Sequence, residues 1–182
     1  MSFPTSPAFV HTGDWDAETR KHPAMEFFER YTNTLDSGLQ TMGSQLNDWH
    51  TPDFEYVAAN GSSTKGTQEA FNALSQSYAP LAKFHHEPFF LIAIESGNSG
   101  DYEMIGCATV YINLPGKEEE KKVKDGKGES WEMSLPGAFK FYYKKEGQGF
   151  KLKQTQVFSD SGPVVMGLLK KGAMTPQQLG LA

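Results

Sequence analysis

Less than a third of the way along this chain the spacing of apolar residues changes period, and that change restricts the fold more than any single residue does. From Ala24 onward Phe28, Tyr31, Leu35, Leu39, Met42, Leu46 and Trp49 recur at intervals of three and four, which gathers them on one narrow helical face. Beyond Thr51-Pro52-Asp53 apolar and polar residues mostly alternate, the period of a strand with one buried face. Pro52 marks the switch, because the residue before a proline is pushed away from helical backbone. Gly38 and Gly43 lie inside the helical stripe, so a kink or two consecutive helices are expected there. Helices followed by a run of strands describe an α+β domain.

The strand region begins with a short segment at 54–58 and a turn at Asn60-Gly61-Ser62-Ser63. Thr67 is placed to cap one further helix, with Glu69 favourable in its first turn and Ala70, Leu74, Tyr78 and Leu81 facing inward. Four strand-like runs follow. Residues 84–95 carry Phe84, Phe90, Ile92 and Ile94 at even positions, and His86 shares their parity. Residues 102–114 set Met104, Gly106, Ala108, Val110 and Ile112 on one face. Trp131, Met133, Leu135, Phe139, Phe141 and Tyr143 do the same in the third run, and in 150–158 Gln154 and Gln156 share the face of Phe150 and Leu152. Ser96 to Gly100 and Glu146 to Gly149 are hairpin turns. The stretch 115–130, with Glu118-Glu119-Glu120-Lys121-Lys122, reads as a solvated, mobile loop or as a partner-docking arm. Gly106, Ala108 and Gly137 remove bulk from apolar faces, which leaves either a concavity or space that larger neighbours fill.

A length of 182 residues suits one domain. Its parts read as an arm over 1–22, a body over 23–159 and a tail over 160–182. Pro4, Pro7 and Gly13 discourage regular structure in the arm, while Phe3, Phe9, Val10 and Trp15 can pin it to the body. Val164, Val165, Met166, Leu168 and Leu169 make the tail apolar enough to close a pocket, cover a sheet edge or join a dimer; packing onto its own domain is the default. A net charge of −5 argues against nucleic-acid backbone as the main partner. The single Cys107 permits no internal disulfide. The N-terminus lacks a signal-peptide pattern and no stretch is apolar enough to span a bilayer, so the cytoplasm is the expected compartment and no membrane partner is expected.

Trp49-His50-Thr51-Pro52-Asp53-Phe54-Glu55-Tyr56, followed by Lys65-Gly66-Thr67-Gln68-Glu69-Ala70-Phe71, and the closing Phe141-Tyr142-Tyr143-Lys144-Lys145 with Phe150-Lys151-Leu152, resemble segments of the SnoaL-like (nuclear transport factor 2-like) superfamily. The resemblance covers about 24–159. It implies a cone: three N-terminal helices packed on a strongly curved, mainly antiparallel sheet around a hollow. It implies a small, largely apolar organic ligand, and a lyase or isomerase chemistry (dehydration, cyclisation or isomerisation) that needs no organic cofactor. The fold also hosts non-catalytic binding or dimerisation modules. Family members often pair through the outer sheet face, which here would include Thr109, Tyr111, Lys140 and Tyr142.

Two histidines stand out. Neighbours in a strand point to opposite faces, so His85 and His86 cannot share one metal without a bulge, and no CxxC or HExxH pattern supplies further ligands. No metal is therefore expected. His86 faces inward, where it can be a structural histidine or an acid/base group. Scytalone dehydratase-like members carry a catalytic histidine near this strand's start, a match that needs a one-residue adjustment such as a bulge at Pro88. Arg30-Tyr31 with Leu35-Asp36-Ser37-Gly38 looks like the first helix of ketosteroid isomerase-like members, which matches Tyr31 to an oxyanion donor; the general-base position of those enzymes falls at Val57. Core packing is the other reading of Tyr31. Asp53 is either a turn residue or a secondary polar group of the pocket. The expected catalytic set is then His86 with Tyr31 and Asp53, and the expected lining is Tyr56, Met104, Ala108, Val110, Phe139, Phe141, Gln154 and Gln156.

Overall fold

The structure, a computed structural model, describes residues 7–97, 99–117 and 119–180. Phe3 and Glu118 lie outside the described residues. Helix α1 (Pro23–Asp36) starts on a proline, whose fixed φ suits the first helical position, and the chain turns at Gly38, where φ is 126°. Short helices α2 (Leu39–Ser44) and α3 (Leu46–Trp49) continue the apolar stripe. Gly43 stays within α2; a Cβ there would sit 3.2 Å from the ring of Phe71 on α4 (Thr67–Tyr78), so its role is close approach rather than a break. Gly66, not Thr67, occupies the cap position of α4, and the Thr67 hydroxyl instead donates to the Thr51 carbonyl at 2.9 Å.

The strands are β1 (Ala8–Thr12), β2 (His50–Val57), β3 (Ser63–Lys65), β4 (Lys83–Ser96), β5 (Asp101–Asn113), β6 (Val123–Lys124), β7 (Ser130–Trp131), β8 (Met133–Glu146) and β9 (Gly149–Phe158). A large curved 7-stranded sheet runs β1-β4-β5-β8-β9-β2-β3, antiparallel throughout except where β2 lies parallel to β9. β1 corrects the expectation of an irregular arm: Ala8 to Thr12 pair with Ile94 to Phe90 as an edge strand. The stretch 115–130 likewise contains the hairpin β6–β7, whose Trp131 is fully buried. Trp131 therefore belongs to a separate strand from Met133. No helix among the described residues is long and apolar enough to cross a membrane.

Two bulges decide which side chains face the helices. In β4, Pro88 pairs with Ala108 and Phe90 with Cys107, so Phe89 is the extra residue. Inward positions change there from even (Phe84, His86) to odd (buried Leu91 and Ala93), and Phe90, Ile92 and Ile94 turn outward. In β9, Tyr143 pairs with Leu152 and Tyr142 with Gln154, so Lys153 is extra and Thr155 becomes the buried residue. The shared face expected for Leu152, Gln154 and Gln156 is broken by this bulge.

The main core joins α1, α4 and the sheet through Met25, Phe27, Phe28, Tyr31, Phe71, Leu91, Met104, Phe141 and Tyr143. A second cluster gathers Leu81, Val110, Ile112, Leu114, Met133 and Leu135 under α5 (Gly162–Lys170), whose Leu168 is buried in it. The tail thus packs onto its own domain. Buried Lys171 anchors it, donating to the Leu114 carbonyl at 2.8 Å and to Glu132 Oε1 at 2.6 Å.

The hollow expected at Gly106 is filled. A Cβ there would collide with the Leu91 side chain and lie 2.7 Å from Phe139 Cζ. At Gly137 the nearest atom would be a Val110 methyl at an ordinary 3.5 Å. Gly106→Ala should therefore destabilise the protein by ~1–3 kcal/mol through overpacking, and Gly137→Ala by much less; urea denaturation of both variants measures the contrast.

His50 supplies a second stability test. It is fully buried, its Nδ1–H donates to the Leu46 carbonyl at 3.1 Å, and its Nε2 accepts from the Tyr31 hydroxyl at 3.2 Å. Burial lowers its pKa to about 4. The neutral ring's contribution is present above the unfolded-state pKa of ~6.5 and is lost as pH falls towards the folded value, a change of ~3 kcal/mol. Denaturation midpoints at pH 7 and pH 4.5 should thus differ more for the parent than for His50→Gln.

Candidate functional site

The C-terminal end of α1 carries Asp36 against the start of β4, and no basic residue occupies that last helical turn. A carboxylate is poorly placed for the helix dipole at a C-terminus; here it is held by donors from the sheet. Asp36 Oδ1 accepts from His86 Nδ1 at 2.6 Å, and Oδ2 accepts from His85 Nδ1 at 2.8 Å and from the His86 amide at 2.9 Å. Burial opposes ionisation of Asp36, but the bonds from His85 and His86 outweigh it, and the pKa falls below the ordinary carboxylate value. The same contact raises that of His85, against its own desolvation.

With Nδ1–H committed to the carboxylate, neutral His86 keeps its lone pair on Nε2. That atom accepts from the Tyr78 hydroxyl of α4 at 3.1 Å. The result is a chain Tyr78–His86–Asp36, in which the His86 side chain is 13% and the Asp36 side chain 11% exposed. A carboxylate-oriented imidazole whose remaining lone pair is shared only with a displaceable hydroxyl is the arrangement of a general base, because the carboxylate stabilises the imidazolium that forms. Val110 pairs with His86 across β4 and β5, and the next inward row is Pro88, Ala108 and Gly137, which carries no large side chain.

The other expected residues fall into separate places. Tyr31 is buried with its hydroxyl proton given to His50, so it is a core group without a free donor. Asp53 is exposed, 3.5 Å from Lys153 on the opposite side of the sheet. There it lines a cavity of about 440 Å³ with Glu55, Lys65, Glu103, Lys140 and Gln154. Gln154 donates to Glu55 at 2.8 Å, and Gln156 pairs with outward Lys140, so neither reaches His86. Tyr56 is buried and bonds Ser77 at 2.9 Å. Met104 accepts from Tyr143, and Phe139 stacks between Phe28 and Phe141, so these three expected lining residues are packed core. Ala108 and Val110 do adjoin His86.

Asp36 and Tyr78 were missing from the expected site. A usable signal for Asp36 was present: an acidic residue closing a helix whose last turn has no base to offset it. Tyr78 carried no such signal, since an aromatic on the inward helical face reads as core.

Compared by sequence, the chain matches no family model and no curated protein. Compared by structure, it is similar to Aln2 from a Streptomyces species, with a TM-score of 0.59 and 13% identity over 84% of this chain and 97% of that one. A scytalone dehydratase-like protein from Novosphingobium aromaticivorans gives 0.57 and 11% over 80% and 89%. Hexachlorocyclohexane dehydrochlorinase LinA-type3 from Novosphingobium barchaimii gives 0.55 and 12% over 79% and 88%. These likenesses, with a large curved sheet backed by helices, show that the chain has the SnoaL-like (nuclear transport factor 2-like) fold.

Proposed function

We infer that the protein removes a proton from carbon in a small, largely apolar organic molecule, driving an elimination, cyclisation or isomerisation without an organic cofactor. The observation that carries this reading is the Tyr78–His86–Asp36 chain. His86 Nε2 takes the proton, Asp36 stabilises the resulting imidazolium, and Tyr78, released from Nε2, donates to charge developing on the leaving group or carbonyl oxygen. The names of two fold relatives, a dehydratase and a dehydrochlorinase, denote eliminations and support the same class. The inward row Pro88, Ala108 and Gly137 beside His86 carries no large side chain, which supports an apolar substrate binding there.

Ring opening of 5-nitrobenzisoxazole, a small aromatic probe that reports proton abstraction from carbon, tests the base directly. His86→Ala should lower the rate by roughly two to four orders of magnitude. Tyr31→Phe and Asp53→Asn should leave it nearly unchanged. Equal rates for folded parent and His86→Ala would remove His86 as the base. Saturable probe binding with no acceleration by the parent would favour a non-catalytic binding module.

A homodimer through the outer sheet face is the assembly that the exposed apolar residues favour. Tyr111 is covered by the β6–β7 hairpin, which shifts the free surface to Val10, Ile105 and Phe158, 54%, 49% and 50% exposed. Light scattering should give a dimer mass for the parent and a monomer mass for Ile105→Arg; a monomeric parent across a wide concentration range overturns the assignment.

A further inference from the structure

We propose that His85, Glu87 and Asp125 form a binding site for a divalent cation of the zinc class on the outer face of the sheet. Their ligand atoms all lie within 4.8 Å of one another. Metal bonds of ~2.0–2.2 Å place ligand atoms roughly 3–4 Å apart, so a small inward adjustment brings the three groups to coordinating distance and leaves the fourth position of a tetrahedral shell to water.

Several features build this cluster. His85 donates Nδ1–H to Asp36 Oδ2 at 2.8 Å, which leaves the Nε2 lone pair directed at the two carboxylates, 3.6 Å from Glu87 Oε1. A histidine oriented through its other nitrogen by a carboxylate is the usual supporting arrangement for a metal-ligating imidazole. The ring packs nearly parallel to Trp131, at 6.0 Å and 16°, and to Tyr111, at 6.3 Å and 24°, and those two rings also pack on each other at 6.2 Å. Asp125 is buried and positioned by its own hairpin. Its Oδ1 accepts from the amides of Lys127 and Glu129, at 3.0 and 2.8 Å, and its Oδ2 from Trp131 Nε1 at 2.9 Å. Glu87 Oε1 accepts from the Gly126 amide at 2.8 Å, which holds this carboxylate against the hairpin. The nearby cation Lys83 is engaged by Glu129 and the Trp131 ring. One imidazole and two carboxylates suit zinc better than magnesium or calcium, which prefer all-oxygen shells.

The rival occupant is a proton on His85, which would make the cluster an internal ion pair. Calorimetric titration of the chelator-treated full chain with Zn²⁺ separates the two, with the visible absorption of bound Co²⁺ as a second readout. The expected result is one saturable site per chain, a Co²⁺ band that reports a nitrogen ligand, and weaker binding of Ca²⁺. His85→Gln and Glu87→Gln should each reduce Zn²⁺ affinity by roughly 10–100-fold or more, at least the loss that outer-shell changes produce. Asp125→Asn is less informative alone, because it also disturbs the hairpin, so folding of every variant is checked by circular dichroism. No saturable Zn²⁺ binding to the folded parent, unchanged affinity in folded His85→Gln, or Ca²⁺ binding as tightly as Zn²⁺ would overturn the proposal. None of these readouts depends on His86 acting as a base, so the two readings fail separately.

Discussion

The carboxylate of Asp36 ties the helical layer to the sheet where α1 ends over the start of β4. Three donors from consecutive residues of β4 converge on it, and all come from the strand that the helix must cover. A buried carboxylate is costly unless its oxygens are occupied, and removing either partner would leave an uncompensated charge. Satisfying it fixes how α1 lies over β4 and which nitrogen of each histidine carries its proton. The orientation of both imidazoles follows from that one contact.

The break at Gly38 belongs to the same constraint. α1 has to stop at Asp36 for the carboxylate to reach past the helix end towards β4, and the positive φ of Gly38 lets the chain turn away immediately afterwards. The remaining stripe, carried by Met42, Leu46 and Trp49, then completes the core through α2 and α3 instead of prolonging α1. A longer helix would cover the same apolar area but would carry Asp36 in its interior.

Much of the fold was legible because periodicity reports burial directly. The helical stripe, the alternating strands and the two tight turns all appear where their spacing places them. Parity failed where an extra residue entered a strand. The Phe89 bulge lies beyond His86, so the inward placement of that residue survives, while the outward turn of Phe90, Ile92 and Ile94 was not readable. The Lys153 bulge precedes Gln154 and Gln156, and both were assigned to the wrong face. A bulge is set by pairing with neighbouring strands, which alternation within one strand does not record. The same holds for Asp36, whose partners lie 49 and 50 residues away, and for Asp125, brought to His85 only by the fold of its hairpin.

Asp36 also makes the two faces of the sheet interdependent. His86 points into the interior and His85 out of it, as strand alternation requires, yet both donate to the same carboxylate. Trp131 and Tyr111 pack on each other as well as on His85, so the outward imidazole sits in a cluster of three rings. The hairpin carrying Trp131 and Asp125 is therefore linked to His86 without touching it, through an outward histidine and one shared carboxylate.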